Sequence, residues 1–70
     1  MVDSKTIGKR IRTIREEKGL SAFNFALAIG ATESAVRSYE YGERVPRDET
    51  KVKIADFAGR SVQEIFFDEE

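Results

Sequence analysis

Apolar residues recur along this 70-residue chain at the spacing of one helical face, in segments separated by glycines. In the first segment, Ser4 to Lys18, residues Ile7, Ile11 and Ile14 stand at positions i, i+4 and i+7. This spacing predicts an amphipathic helix whose isoleucines face a core. Gly19 follows directly, where a helix commonly ends in the left-handed conformation.

Two short helices joined by a glycine-containing turn are predicted next. Ser21 caps a helix of about two turns that ends at Gly30, and Thr32 caps another that ends at Gly42. The residues expected to face the core are Phe25, Ala26, Ile29, Ala35, Val36 and Tyr39. Two helices that meet at a steep angle through a turn of three or four residues need one residue with positive φ, which Gly30 can supply. The pair therefore has the spacing of a helix-turn-helix.

A loop and two further helices complete the predicted fold. Pro46 blocks any helix through Glu43–Arg47, and the fourth helix runs from about Asp48 to Ala58. Its expected buried residues are Val52, either Ile54 or Ala55, and Ala58. A last helix of one or two turns opens with the capping box Ser61-x-x-Glu64 and carries Ile65 and Phe66. No strand pattern occurs, so the sequence predicts an all-α fold of five helices.

The third helix has few bulky apolar residues, which suggests that its outward side has a binding role. With Ala35, Val36 and Tyr39 turned inward, the outward residues are Glu33, Ser34, Arg37 and Ser38. Serine and arginine side chains can hydrogen-bond base edges in a DNA major groove, and the start of the second helix, residues 21 to 23, favours a phosphate. The alternative is that any small all-α domain contains amphipathic helices separated by glycines.

Composition excludes several classes of function. The chain has no cysteine and no histidine, so it lacks the usual zinc ligands and general base, and its carboxylates are dispersed. We therefore expect neither an enzyme nor a metal or cofactor site. No apolar run reaches the ~20 residues of a membrane span, which predicts a soluble, cytoplasmic protein.

The distribution of charge is more informative than the net charge of −1. Residues 1 to 47 carry nine basic and six acidic side chains, whereas residues 48 to 70 carry three and seven. A basic part next to an acidic one is compatible with phosphate binding on one face, although charged residues are more often ordinary surface. The same two interpretations apply to the basic residues around the first helix, Lys5, Lys9, Arg10, Arg12 and Lys18.

Three stretches, IGKRIRTIREEKGLS, AIGATESAVRSYEYGERVPR and KIADFAGRSVQEIFF, together resemble the Cro/repressor-type helix-turn-helix family, also called the XRE family. The likeness covers about residues 6 to 67 and is greatest to short phage and mobile-element repressors of Gram-positive bacteria. It implies a compact lambda-repressor-like domain with the helix-turn-helix at helices two and three. We accordingly expect residues 1–70 to form one DNA-binding domain with its core at about 6–67.

The resemblance also implies roles for particular residues. Those expected to contact base edges are Glu33, Ser34, Arg37 and Ser38. Those expected near the DNA backbone are Ser21, Ala22, Phe23, Thr32, Tyr41, Arg44 and Arg47. Arg15 and Glu40 match a pair that in the family joins helices one and three, which would hold the recognition helix in place.

Departures from the family pattern leave some assignments open. Ala22 stands where the family commonly has a glutamine that holds a phosphate, so only backbone amides can bind there. Phe23 and Leu27 are i, i+4 neighbours at positions that are normally charged. They are either local core covered by the N-terminal segment or an apolar patch for a partner protein. Phe67 is likewise either core or a dimer contact.

Two functions compete at this point. The first is a sequence-specific transcriptional regulator, a repressor that binds double-stranded DNA as a homodimer on a palindromic operator. The second is a helix-turn-helix protein-interaction module, an antirepressor or antitoxin subunit, that binds DNA weakly or not at all. The acidic Glu33, the missing glutamine at Ala22 and the Phe23/Leu27 pair favour the second.

Overall fold

A computed structural model describes residues 2–69 of the chain, and within this range every regular element is helical. The elements are α1 (Ser4–Glu17), α2 (Ala22–Ile29), α3 (Glu33–Glu40), α4 (Asp48–Ala58) and a π-helical turn, Gln63–Phe67, called the C-terminal turn below. The predicted all-α fold of five helices with a helix-turn-helix at α2 and α3 is confirmed. The fifth helix is π-helical rather than α-helical. No helix in residues 2–69 is long and apolar enough to cross a membrane.

Local capping fixes the two helices of the helix-turn-helix. The Ser21 hydroxyl accepts a hydrogen bond from the amide of Asn24 at 3.1 Å, and the Thr32 hydroxyl accepts one from the amide of Ala35 at 3.0 Å. Between the helices, Gly30 has φ 68°, the left-handed conformation that glycine adopts without strain. Both helix starts and the turn between them therefore depend on interactions between residues that are close together in the sequence.

One cluster of buried apolar side chains joins all five elements. Its members are Ile7, Ile11, Ile14, Ala22, Phe25, Ala26, Ile29, Ala35, Val36, Tyr39, Ile54, Ala55, Ile65 and Phe66. The prediction that Val52 is buried is wrong, because its side chain is 49% exposed. α4 turns Ile54 and Ala55 inward, and a residue two positions before Ile54 lies about 200° around the helix. Ala58 is only half-buried.

α1 and α3 approach each other closely at Gly8, in the first half of α1. A methyl group added at Gly8 would lie 2.5 Å from the carbonyl oxygen of Tyr39 and 2.7 Å from that of Glu40. Both atoms belong to the backbone at the end of α3, so they cannot rotate away as a side chain could. Only a residue without a Cβ atom lets α1 approach α3 this closely.

Arg10 connects α1 to the C-terminal turn across most of the chain length. Its Nη1 donates to the backbone carbonyls of Glu64 at 3.3 Å and Ile65 at 3.1 Å. This basic residue is therefore not simply solvated. It donates to backbone carbonyl groups near the C-terminal end of the sequence.

Candidate nucleic-acid interface

The outward side of α3 is open to solvent. Glu33, Ser34, Arg37 and Ser38 line a shallow groove there together with Tyr41 and Glu43. The opposite side of α3 is buried through Ala35, Val36 and Tyr39. Nothing in residues 2–69 lies over the groove, so all four side chains assigned to base edges share one accessible face.

Two of these four side chains are bonded to each other. Oε2 of Glu33 accepts from Nη2 of Arg37 at 2.6 Å and from its Nε at 3.1 Å. The hydrogen bond and the negative charge of Glu33, with a smaller contribution from Tyr41, raise the pKa of Arg37 above its ordinary value. Arg37 therefore stays charged at any pH at which the fold could operate.

The start of α2 forms a second, smaller site, with a volume of about 120 Å³. Its lining residues are Arg12, Arg15, Ala22, Arg37, Glu40 and Tyr41. The Ala22 side chain is buried, so this residue can offer a ligand only its backbone amide. Backbone amides at a helix start combined with arginine side chains suit an anion such as a DNA phosphate.

Arg12 is one of the five basic residues around the first helix for which the sequence left a phosphate role open, and it lies at this pocket. Arg12 and Arg15 stand at i, i+3 and therefore share one side of α1. Glu16 holds Arg12 through a hydrogen bond of 3.2 Å between two exposed side chains. Such a surface pair is weak enough to exchange for a phosphate.

Arg15 and Glu40 join α1 to α3 through two hydrogen bonds. Nε of Arg15 donates to Oε2 of Glu40 at 2.7 Å, and Nη2 donates to Oε1 at 3.0 Å. A third bond, from Nη1 to the Leu20 carbonyl at 2.9 Å, adds the segment before α2. The hydrogen bond with Glu40 raises the pKa of Arg15. This planar arrangement fixes α3 relative to both α1 and the start of α2.

The loop after α3 supplies a third group of expected backbone contacts. Thr32, Arg44 and Arg47 line one pocket, where the guanidinium carbon of Arg44 lies 5.6 Å from the centre of the Tyr39 ring. Tyr41 lines both the groove on α3 and the pocket at the start of α2, and Ser21 is exposed beside that helix start. The expected backbone contacts thus fall into two clusters, one at the start of α2 and one beside the loop.

Comparison with known proteins identifies the family. Residues 11–65 match the family model described as Helix-turn-helix. The chain belongs to the Cro/repressor-type helix-turn-helix family. No curated protein sequence matches it significantly. As a member of this family, the helix-turn-helix protein is a DNA-binding transcriptional regulator and not an enzyme.

Two solved structures share the fold of this helix-turn-helix protein. The restriction-modification controller protein C.AhdI from Aeromonas hydrophila is 31% identical, with a TM-score of 0.82 over 91% of this chain and 93% of that one. The clp gene regulator ClgR from C. glutamicum is 20% identical, with a TM-score of 0.77 over 93% and 84% of the two chains. The second likeness concerns the fold alone. The finer resemblance to repressors of Gram-positive phages stays a prediction.

The helix-turn-helix protein has an apolar pair on the outer side of α2. The side chains of Phe23 and Leu27 are 55% and 65% exposed. The interpretation of them as local core beneath the N-terminal segment is therefore wrong, because α2 turns Phe25 and Ala26 inward and leaves positions 23 and 27 outside. Phe67 is also half-exposed, with the ammonium of Lys51 5.1 Å from its ring centre.

Proposed function

We propose that this protein is a sequence-specific repressor that occupies a promoter as a homodimer on a palindromic operator. The observation that supports this most directly is the uncovered outward side of α3, where four polar side chains face solvent together. Charged and hydroxyl side chains at the start of a recognition helix are suited to reading base edges in a major groove. Repression then needs no further chemistry, because a bound protein physically blocks the polymerase.

The small size of the domain supports a dimer. The whole chain has 4463 Å² of accessible surface, and a single DNA-binding module buries roughly 600–1,000 Å² of protein surface. Specific complexes usually bury more than one such module can offer, since about 1,000–2,500 Å² is typical. Two copies on half-sites about one helical turn, ~34 Å, apart would supply the difference. The exposed Phe67 is our candidate for a dimer contact.

Selection of bound DNA from a random pool tests this function. We expect a palindromic motif bound with submicromolar affinity. The binding constant should fall steeply as salt rises, because each neutralised phosphate releases counterions. Titrations at several salt concentrations, followed by fluorescence anisotropy, measure both. Binding that is absent at low salt, or constant between low and moderate salt, would exclude the proposal.

A matched pair of arginine variants separates phosphate contact from general charge. Arg12→Ala should weaken binding to all sequences alike and reduce the salt slope by about 0.9 for each protomer, or about 1.8 for the homodimer, since each protomer loses one phosphate contact. Arg60→Ala removes the same charge but lies next to Glu17, at 3.6 Å, beyond the end of α4. It should leave the slope unchanged. Equal effects of the two substitutions would mean that the pocket at the start of α2 holds no phosphate.

A second candidate function is a protein-interaction module, which the exposed Phe23 and Leu27 favour. Replacing Leu27 by glutamine keeps a good helix former and adds no charge near the start of α2. If this function is correct, a protein partner that copurifies with the natural chain should be lost from Leu27→Gln. Binding to selected DNA should be unaffected, because position 27 lies away from the start of α2. A partner that still copurifies would argue against this surface.

A further inference from the structure

Glu33 and Arg37 bind each other in a way that leaves defined atoms available on both. Both bonds of the pair end on Oε2 of Glu33, which accepts from Nε and Nη2 of Arg37. The other carboxylate oxygen, Oε1, therefore keeps its full capacity to accept. On Arg37, both protons of Nη1 and one proton of Nη2 are not bonded to Glu33, and the hydrogen bond of Arg37 with the exposed Tyr41 has to be exchanged when this edge meets a base. The pair offers an acceptor and a two-proton donor edge side by side, on side chains that are 40% and 55% exposed.

This pattern of donors and acceptors matches one kind of base pair. In the major groove, guanine offers two acceptors, O6 and N7, and its partner cytosine offers a donor, N4. The free edge of Arg37 fits the two guanine acceptors, and Oε1 of Glu33 fits the cytosine amino group. We propose that Glu33 and Arg37 act as a single unit that selects a guanine–cytosine base pair in the operator. This inference rests on the proposed function and specifies what the start of α3 reads.

The pair also rejects the alternative base pair. At an adenine–thymine pair, the adenine N6 amino group would meet the donors of Arg37, and the thymine O4 oxygen would meet the carboxylate of Glu33. One contact places a donor opposite a donor, and the other places an acceptor opposite an acceptor. The pair therefore disfavours adenine–thymine as well as favouring guanine–cytosine. An arginine without its carboxylate lacks the second of these contacts and is freer to bind any nearby phosphate.

A double-mutant cycle on DNA binding tests the unit. The operator comes from the random-pool selection, and single base pairs are then changed from guanine–cytosine to adenine–thymine. For the natural protein, we expect one such change to weaken binding about 10- to 100-fold. Glu33→Ala and Arg37→Ala should each abolish most of the preference for guanine–cytosine over adenine–thymine. Both variants should lose it at the same base pair. The double variant should be hardly worse than either single variant, because residues of one unit are not additive.

Two further variants sharpen the experiment. Glu33→Gln has one acceptor oxygen in place of two and no charge, so its bonds to Arg37 and to cytosine compete for that oxygen, and it should retain part of the preference. Glu17→Ala removes an exposed carboxylate that pairs with Arg60 rather than with a residue of α3. This variant should retain the whole preference for the guanine–cytosine base pair. Circular dichroism should show all variants folded, since each changed side chain is exposed.

Three results would overturn the inference while leaving the proposed function intact. They are a preference that survives in Glu33→Ala, additive effects of the two substitutions on different base pairs, and an equal loss of affinity for every sequence in Arg37→Ala. The last would make Arg37 a phosphate contact. If the natural protein selects no sequence from the pool, the proposed function and the inference both fail.

Discussion

Replacing Gly8 by alanine should destabilise the domain by about 2–3 kcal/mol, despite the better helix propensity of alanine. The added methyl group would lie 2.5 and 2.7 Å from two backbone oxygens at the end of α3, so α1 and α3 must separate. A chain of 70 residues has only a few kcal/mol of stability. Thermal unfolding followed by circular dichroism should show a midpoint lower by about 10 °C or more.

Lys9→Ala is the matched control for this substitution. Lys9 is the next residue of α1 and is exposed, so its replacement by the same side chain should change stability by no more than about 0.5 kcal/mol. A Gly8→Ala variant as stable as Lys9→Ala would contradict the close contact between α1 and α3. The geometry of the recognition helix relative to α1 would then need a different explanation.

Replacing Glu40 by alanine should destabilise the fold by about 3 kcal/mol and remove DNA binding with it. Arg15, with only 17% of its side chain exposed, would lose both bonds to its carboxylate and keep its charge. Urea unfolding measures the loss. Glu16→Ala provides the comparison, because it breaks the exposed pair with Arg12 and should cost no more than about 1 kcal/mol.

A double variant separates two explanations of that loss. If the loss comes from an unpaired charge, Arg15→Met combined with Glu40→Leu should be clearly more stable than Glu40→Ala alone, because no buried charge is left. If the double variant is instead less stable than Glu40→Ala, the ion pair stabilises the fold by more than the desolvation of its two charges costs.

The helix ends and most of the core could be predicted because they depend on neighbouring residues. Ser21, Thr32 and Gly30 act on atoms within four positions in the chain, so the sequence carries the whole signal. Gly8 and Arg10 act on atoms 31 to 55 residues away, and only the packed structure reveals their partners. Val52 was misplaced because an apolar residue at roughly helical spacing does not by itself show which side of α4 is buried.

The candidate site shows the same division. The outward set on α3 follows from its inward residues, and the i, i+4 spacing of Glu33 and Arg37 already permits their ion pair. That Arg12 reaches the start of α2 depends on how α1 crosses α2, which no local pattern specifies. Exposure of Phe23 and Leu27 likewise depended on whether another segment covered them.

The contact between α1 and the C-terminal turn has a consequence for synthesis in the cell. Ile65 and Phe66 complete the core, and Arg10 binds carbonyl oxygens in the same turn. Ribosomes add these residues after those of the four α-helices. Until then the isoleucines of α1 lack part of their cover, and Arg10 lacks its carbonyl partners. A polypeptide that stops before Ile65 would therefore lack a closed interior.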